Sequence, residues 1–208
     1  MNGFQLTDVQ KDALGEIGNI GAGNATTALA QMTNQHFRLT VPETRLLSLD
    51  RLPLVTGVAL EEPLVSVYIA FRGDASGCLL LLFTRPQALS LCRILQLPPP
   101  PDIFNLSALQ KSALGEVGNI VASSYLTALA SFTGLRLLPM PPGIAVGMSG
   151  AILSSVAAFL GQFESHGLVI HIRVHGGVDD HPLGLQLIMI PQLTSLVTIL
   201  QALGLPLD

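Results

Sequence analysis

Two pairs of polar residues stand at the same spacing in two parts of the chain. Glu16 is followed three positions later by Asn19, and Glu116 is followed at the same distance by Asn119. A carboxylate can pair with a cation, and a neutral amide can both donate and accept hydrogen bonds, which suits it to orient a water molecule. Positioning a nucleophilic water is much of what proteins contribute to phosphoryl hydrolysis, so each pair has residue types that could serve this chemistry.

The sequence shows no motif for binding a metal ion or a nucleotide. It has no P-loop and no cluster of carboxylates suited to Mg²⁺. Cys78 and Cys92 lie 14 positions apart in apolar segments. This is neither metal-ligand spacing nor a disulfide framework, so we expect buried, reduced thiols. If the chain acts on a phosphate, the metal must come with the partner.

Both polar pairs belong to an internal repeat of helical character. Gln10–Thr33 and Gln110–Thr133 are identical at 15 of 24 positions and are offset by 100. Thr7 and Ser107 each precede a glutamine by three positions, which fits the capping box at a helix N-terminus. The repeat therefore predicts two long helices that start in the same register.

On a helical wheel, the polar residues of each copy form one narrow stripe. In the two copies, the stripe comprises Asp12, Glu16, Asn19, Ser112, Glu116 and Asn119. At about 100° per residue, we expect the core face on one side of the first stripe, at Val9, Ala13, Ile17 and Ile20. On the other side, small residues are expected to leave a flank of bare backbone.

The flank contains a pair of glycines in each copy. They are Gly15, Gly18, Gly115 and Gly118. Two glycines within four helical residues destabilise a helix by roughly 2 kcal/mol relative to alanine. Close approach of a partner's backbone could offset this loss, so we interpret the four glycines as partner-docking residues. The alternative is that they let helices pack within the molecule and that the polar residues are simply solvated.

The segments after each long helix complete a layered fold. The predicted strands are Leu64–Arg72, Gly77–Thr84, Leu168–Val174 and Leu183–Ile190, and the predicted shorter helices are Arg85–Leu97, Ala151–Phe163 and Gln192–Leu203. The helix that starts at Ala151 has no clear counterpart in the first half. We expect an α/β fold with α+β layering, in which long helices cover a pseudo-two-fold symmetric antiparallel sheet built from two helix–hairpin–helix repeats.

The two repeats are expected to form one domain over residues 1–208, divided at about 1–103 and 104–208. Each half has only a small sheet to bury, and short chains bury a smaller fraction of their surface than long ones. One pseudo-symmetric domain is therefore favoured over two free ones.

Composition and charge exclude several classes of function. Charged residues make up 12% of the chain, about half the usual share, which excludes a coiled coil or a disordered acidic tail. The net charge of −4 without a basic cluster argues against nucleic acid as a partner. No apolar run approaches the length of about 20 residues that a membrane span needs, and no signal peptide is visible at the start. We expect a cytoplasmic protein.

The stripe residues resemble the motif of the CheC/CheX/FliY family of chemotaxis phosphatases. That motif is an aspartate or serine, a glutamate four positions later, an asparagine three positions after it, and a proline after 22 more residues. Pro42 and Pro142 follow Asn19 and Asn119 with 22 residues between. Two motif copies without an added rotor domain resemble the CheC members of the family, since CheX is expected to carry one motif.

The resemblance implies an enzyme that dephosphorylates the aspartyl phosphate of the response regulator CheY. Asn19 and Asn119 would orient the attacking water, and Glu16 and Glu116 would pair with the active-site lysine of the receiver domain. The supporting motif residues would be Asp12, Ser112, Pro42 and Pro142. No cofactor is expected on this chain, because the family's Mg²⁺ lies in the receiver.

The resemblance also implies CheD as a second partner. The alternative function is a non-catalytic adaptor of the same fold that binds CheD, CheY or the flagellar switch. The second copy has Val121, Ser123 and Ser124 where the first has Gly21, Gly23 and Asn24, so the two sites need not be equally active.

Overall fold

The computed structural model describes residues 6–34, 36–55, 57–160, 166–176 and 182–205. The helices are α1 (Asp8–Thr33), α2 (Leu52–Val55), α3 (Arg85–Ile94), α4 (Ala108–Thr133), α5 (Ser149–Leu160) and α6 (Leu193–Ala202). The strands are β1 (Phe37–Ser48), β2 (Pro63–Gly73), β3 (Gly77–Thr84), β4 (Leu137–Pro139), β5 (Gly143–Met148), β6 (His166–Gly176) and β7 (Pro182–Pro191).

The strands form one antiparallel sheet in the order β1-β6-β7-β3-β2-β4, with β5 also paired to β2. The order is symmetric about the β7–β3 pair, because β4 and β5 together stand 100 positions after β1. Strand β1 of the first repeat pairs with β6 of the second. The antiparallel sheet, its covering helices and its pseudo-symmetry confirm the predicted fold class.

Both long helices begin at the predicted capping boxes. In α1, the backbone N–H of Gln10 donates to Thr7 Oγ1 at 3.3 Å, and the N–H of Thr7 donates to Gln10 Oε1 at 2.8 Å. Ser107 and Gln110 repeat the two bonds at 3.2 and 2.7 Å in α4. These bonds satisfy donors that a helix N-terminus otherwise leaves without partners, so both helices start in the same register.

The two faces of the sheet carry separate apolar clusters. The larger cluster lies under α1, α3, α4 and α6, and it joins residues such as Leu14, Leu114, Leu91 and Ile199 to the side chains of one sheet face. A smaller cluster lies on the other face, where Leu52 of α2 and Leu153 of α5 pack on Leu64, Leu80 and Ile188. The motif helices therefore share one face of the sheet.

The structure differs from the predicted elements in three places. Strands β1, β4 and β5 were not predicted. The helix expected at Arg85–Leu97 ends at Ile94, because Gln96 has a left-handed backbone with φ of 57°. Helix α5 ends at Leu160 among the described residues, and Phe163 lies outside them. Its first-half counterpart, 100 positions earlier, is a short helical segment that comprises the 3₁₀ turn Leu49–Arg51 and α2.

Candidate functional site

The predicted stripe lies on the outer face of each motif helix. Asp12, Glu16 and Asn19 are exposed on α1, as are Ser112 and Glu116 on α4, and Asn119 is half-buried. Three- and four-residue spacing places each set along one side of its helix. The structure therefore presents each glutamate and asparagine pair on the side opposite the sheet.

The core face of the motif helices differs from the predicted one. Gly18, which was assigned to the flank, is buried, as is Ala22 one turn later, and Val9, which was assigned to the core, is 64% exposed. Leu109, its counterpart in α4, is 62% exposed. The buried arc lies opposite the stripe, because close packing on a sheet and a neighbouring helix favours small residues that a hydrophobicity pattern ranks low.

Side chains of the same chain occupy the space beside the two glycines of α4. A Cβ atom added at Gly118 would lie 2.7 Å from Val67 Cγ1 of β2, and one at Gly115 would lie 3.1 Å from Ile144 Cδ1 of β5. In α1, Gly18 is buried and Gly15 is half-buried. For Gly115 and Gly118, the structure therefore favours the packing alternative over the partner-docking interpretation, since strands β2 and β5 of the same chain occupy the space.

The motif prolines stand at matching breaks in the edge strands. Pro142 directly precedes β5, is exposed, and has its Cγ 4.0 Å from the place of a Cβ on Gly115. It is therefore beside α4 at the position before Glu116. Pro42 lies in β1, where the register with β6 shifts between Thr40 and Glu43. In the second repeat, the 22 residues between Asn119 and Pro142 are the length of chain that leaves α4 and brings the proline back beside it.

The stripe carries little charge compensation of its own. Lys11 pairs with Asp8 at 3.0 Å on the exposed face of the first turn of α1. Within the described residues, no side chain forms an ion pair or hydrogen bond with Glu16 or Glu116. Both carboxylates are thus available to a cation on another molecule.

Asn119 has an additional contact that the motif does not contain. Ser123 Oγ donates to Asn119 Oδ1 at 3.4 Å. Ser123 was not among the predicted site residues, although the wheel places it about 20° from Ser112 and so on the stripe.

The described residues contain no cluster of three or more His, Cys, Asp and Glu that could hold a metal ion. No helix among them is both long and apolar enough to cross a membrane.

Comparison with known proteins assigns the chain to a family. The model of the CheC-like family matches residues 9–45 and 109–146, which are the two motif helices with the segments that reach the motif prolines. The CheY-P phosphatase CheC of Bacillus subtilis (strain 168) is 35% identical over 201 residues, which cover 96% of this chain and 96% of the relative. The chain belongs to the CheC-like family.

Solved structures extend the likeness to the fold. The crystal structure of Thermotoga maritima FliY matches with a TM-score of 0.78 at 19% identity, over 97% of this chain and 98% of that one. The FliM middle domain from H. pylori matches with a TM-score of 0.67 at 11% identity, over 95% and 99%. A fold hosts different functions, so the activity of a CheC-like chain has to be argued from its site residues.

Proposed function

We propose that this chain is a phosphatase that hydrolyses the aspartyl phosphate of phosphorylated CheY in chemotaxis. The observation that carries the proposal is the placement of Glu16 with Asn19, and of Glu116 with Asn119, on the outer face of a motif helix in a CheC-like scaffold. The full-length likeness to a protein named CheY-P phosphatase supports the same activity.

The proposed chemistry is in-line attack of water on the phosphorus of the acyl phosphate. The attack forms a new P–O bond, breaks the bond to the aspartyl oxygen, and releases inorganic phosphate and the free carboxylate. Asn19 and Asn119 each offer an amide that can accept a hydrogen bond from the water and donate one. Their role is to hold the water in line, because positioning accounts for much of the catalysis of phosphoryl transfer.

The glutamates anchor the partner in this proposal. Glu16 and Glu116 are exposed, and no described residue of this chain pairs with them, so each is available to the active-site lysine of a receiver domain. The Mg²⁺ of the reaction belongs to the receiver, and this chain supplies no ligand to it. We also propose a cytoplasmic location and CheD as a second partner, both from family resemblance.

The test is the decay of phosphorylated CheY in the presence of Mg²⁺, with and without this protein. The double variant Asn19→Ala with Asn119→Ala should return the decay to the rate of phosphorylated CheY alone while keeping the circular dichroism spectrum of the folded chain. Asn24→Ala is the matched control, because Asn24 is exposed on the same helix about 120° away from Asp12. It should retain full acceleration.

Other outcomes separate the alternatives. Unchanged acceleration in the double variant would refute the assignment of the asparagines. If the unsubstituted protein binds phosphorylated CheY without accelerating its decay, it is a non-catalytic adaptor and not a phosphatase.

A further inference from the structure

Asn119 has a hydroxyl group one helical turn away. The hydrogen bond from Ser123 Oγ to Asn119 Oδ1 is 3.4 Å long, and both side chains are half-buried. With Ser112 at 0° on the wheel, Ser123 lies near +20°, between Asn119 and Glu116. Ser123 therefore extends the polar stripe of α4 by one more residue.

The hydrogen-bond acceptor of the Ser123 hydroxyl differs from the acceptors of three other helical hydroxyls in the structure. Ser131 and Thr133 on the same helix, and Thr26 on α1, each donate to the backbone carbonyl four residues earlier, at 2.7 to 2.9 Å. That carbonyl is the usual local acceptor for serine and threonine inside a helix. Ser123 instead donates to a side chain, and that side chain is the proposed water-orienting amide.

We infer that Ser123 is a positioning residue for Asn119, an inference that rests on the proposed function. The hydroxyl occupies one acceptor position of the amide oxygen and restricts rotation of the amide, which leaves the NH₂ group and the second lone pair for the water. A group held in the orientation it needs gives up less freedom during the reaction. The equivalent position in α1 is Gly23, which has no hydroxyl to offer.

The kinetic test uses the Asn19→Ala background, in which only the second site can act. Ser123→Ala should lower kcat for dephosphorylation about three- to ten-fold, the worth of one hydrogen bond, and leave KM unchanged because the docking residues are intact. Ser123→Thr restores the hydroxyl and should recover kcat. Ser124→Ala is the matched control, since Ser124 is half-buried on the same helix but lies about 100° off the stripe.

A spectroscopic arm reads the contact without the reaction. In ¹⁵N-labelled protein, the side-chain NH₂ resonances of Asn119 are identified by their loss in Asn119→Ala. They should shift in Ser123→Ala and stay in place in Ser124→Ala.

An unchanged kcat in Ser123→Ala, an equal loss in Ser124→Ala, or unshifted Asn119 resonances would each overturn the role of Ser123. Absence of phosphatase activity in the unsubstituted protein would overturn the proposed function. The resonances would then still show whether the hydroxyl holds the amide, so the two failures are distinguishable.

Discussion

Cys78 and Tyr68 form a polar pair inside the smaller apolar cluster. Burial raises the pKa of the Cys78 thiol to about 12, and the hydrogen bond with Tyr68 lowers it only in part. Burial also raises the pKa of Tyr68, with the neighbouring Cys78 as a second cause. Both groups are therefore held in their neutral forms, which is consistent with the buried, reduced thiols expected from the sequence.

This pair makes stability fall at alkaline pH. In the unfolded chain, Cys78 ionises near its ordinary value of 9, whereas the folded chain keeps it protonated up to about 12. The unfolded state thus binds fewer protons above pH 9, so the free energy of unfolding should decrease by about 1 kcal/mol between pH 7 and pH 10 from this group alone. Urea unfolding at the two values measures it.

A control variant isolates the thiol. Cys78→Ala should show a smaller decrease over the same pH interval, even if it is less stable at pH 7. An equal or larger decrease in the variant would contradict the assignment to Cys78.

At the scale of elements, Gly21 is a point of close contact between the two motif helices. A Cβ added at Gly21 of α1 would lie 2.8 Å from the Cα of Tyr125 on α4, which is closer than real Cβ atoms come. Tyr125 is fully buried between the helices. At the equivalent positions, Gly21 corresponds to Val121 and Ala25 to Tyr125, so α1 has the small residue and α4 the large one at both. The Gly21 difference between the repeats is therefore one of packing.

Two glycines in α1 should respond to substitution in opposite directions. Gly21→Val should destabilise the protein by about 3 kcal/mol or more, because a backbone atom of α4 must move to admit the side chain. Gly23→Ala should stabilise it by up to about 1 kcal/mol, because nothing lies within 4 Å of the new Cβ and alanine favours the helix. Thermal unfolding of both variants measures the difference, and a tolerated Gly21→Val would refute the close crossing.

The predictability of each element follows from how local its causes are. The starts of α1 and α4 were predicted correctly because a capping box depends on residues three positions apart. Strands β1 and β5 escaped prediction because Pro42 interrupts the first at its register shift and Pro142 directly precedes the second. The residue types and the stripe of the candidate site were readable on a wheel. The place of Pro142 beside Gly115 was not, because it depends on how the chain returns to α4.

At the scale of the whole molecule, strands of each repeat pair with strands of the other repeat to form one sheet. Strand β1 of the first half pairs along its length with β6 of the second, while β4 and β5 of the second half pair with β2 of the first. Among the described strands, the remaining pair that joins the two halves is β3 with β7. Each half alone would leave exposed strand edges with unpaired backbone groups.

Residues 1–103 and 104–208, produced separately, should each fail to show a cooperative unfolding transition. Each fragment lacks the partner strands for its edge, so its sheet is too small to offset the entropy of ordering the chain. Mixing the two fragments should restore the circular dichroism and the cooperative transition of the intact chain. A fragment that unfolds cooperatively by itself would show that the halves are independent.

The exchange of strands also bears on how such a chain could arise. A single repeat would lack partner strands for its edge and could complete this sheet by joining a second copy of itself, so the amount folded would depend on its concentration. Linking two copies in tandem turns that association into an intramolecular one, at a high effective concentration. The linked copies also no longer need to have the same sequence. One copy can have a residue such as Ser123 where the other has Gly23. Duplication therefore permits the two surfaces to specialise.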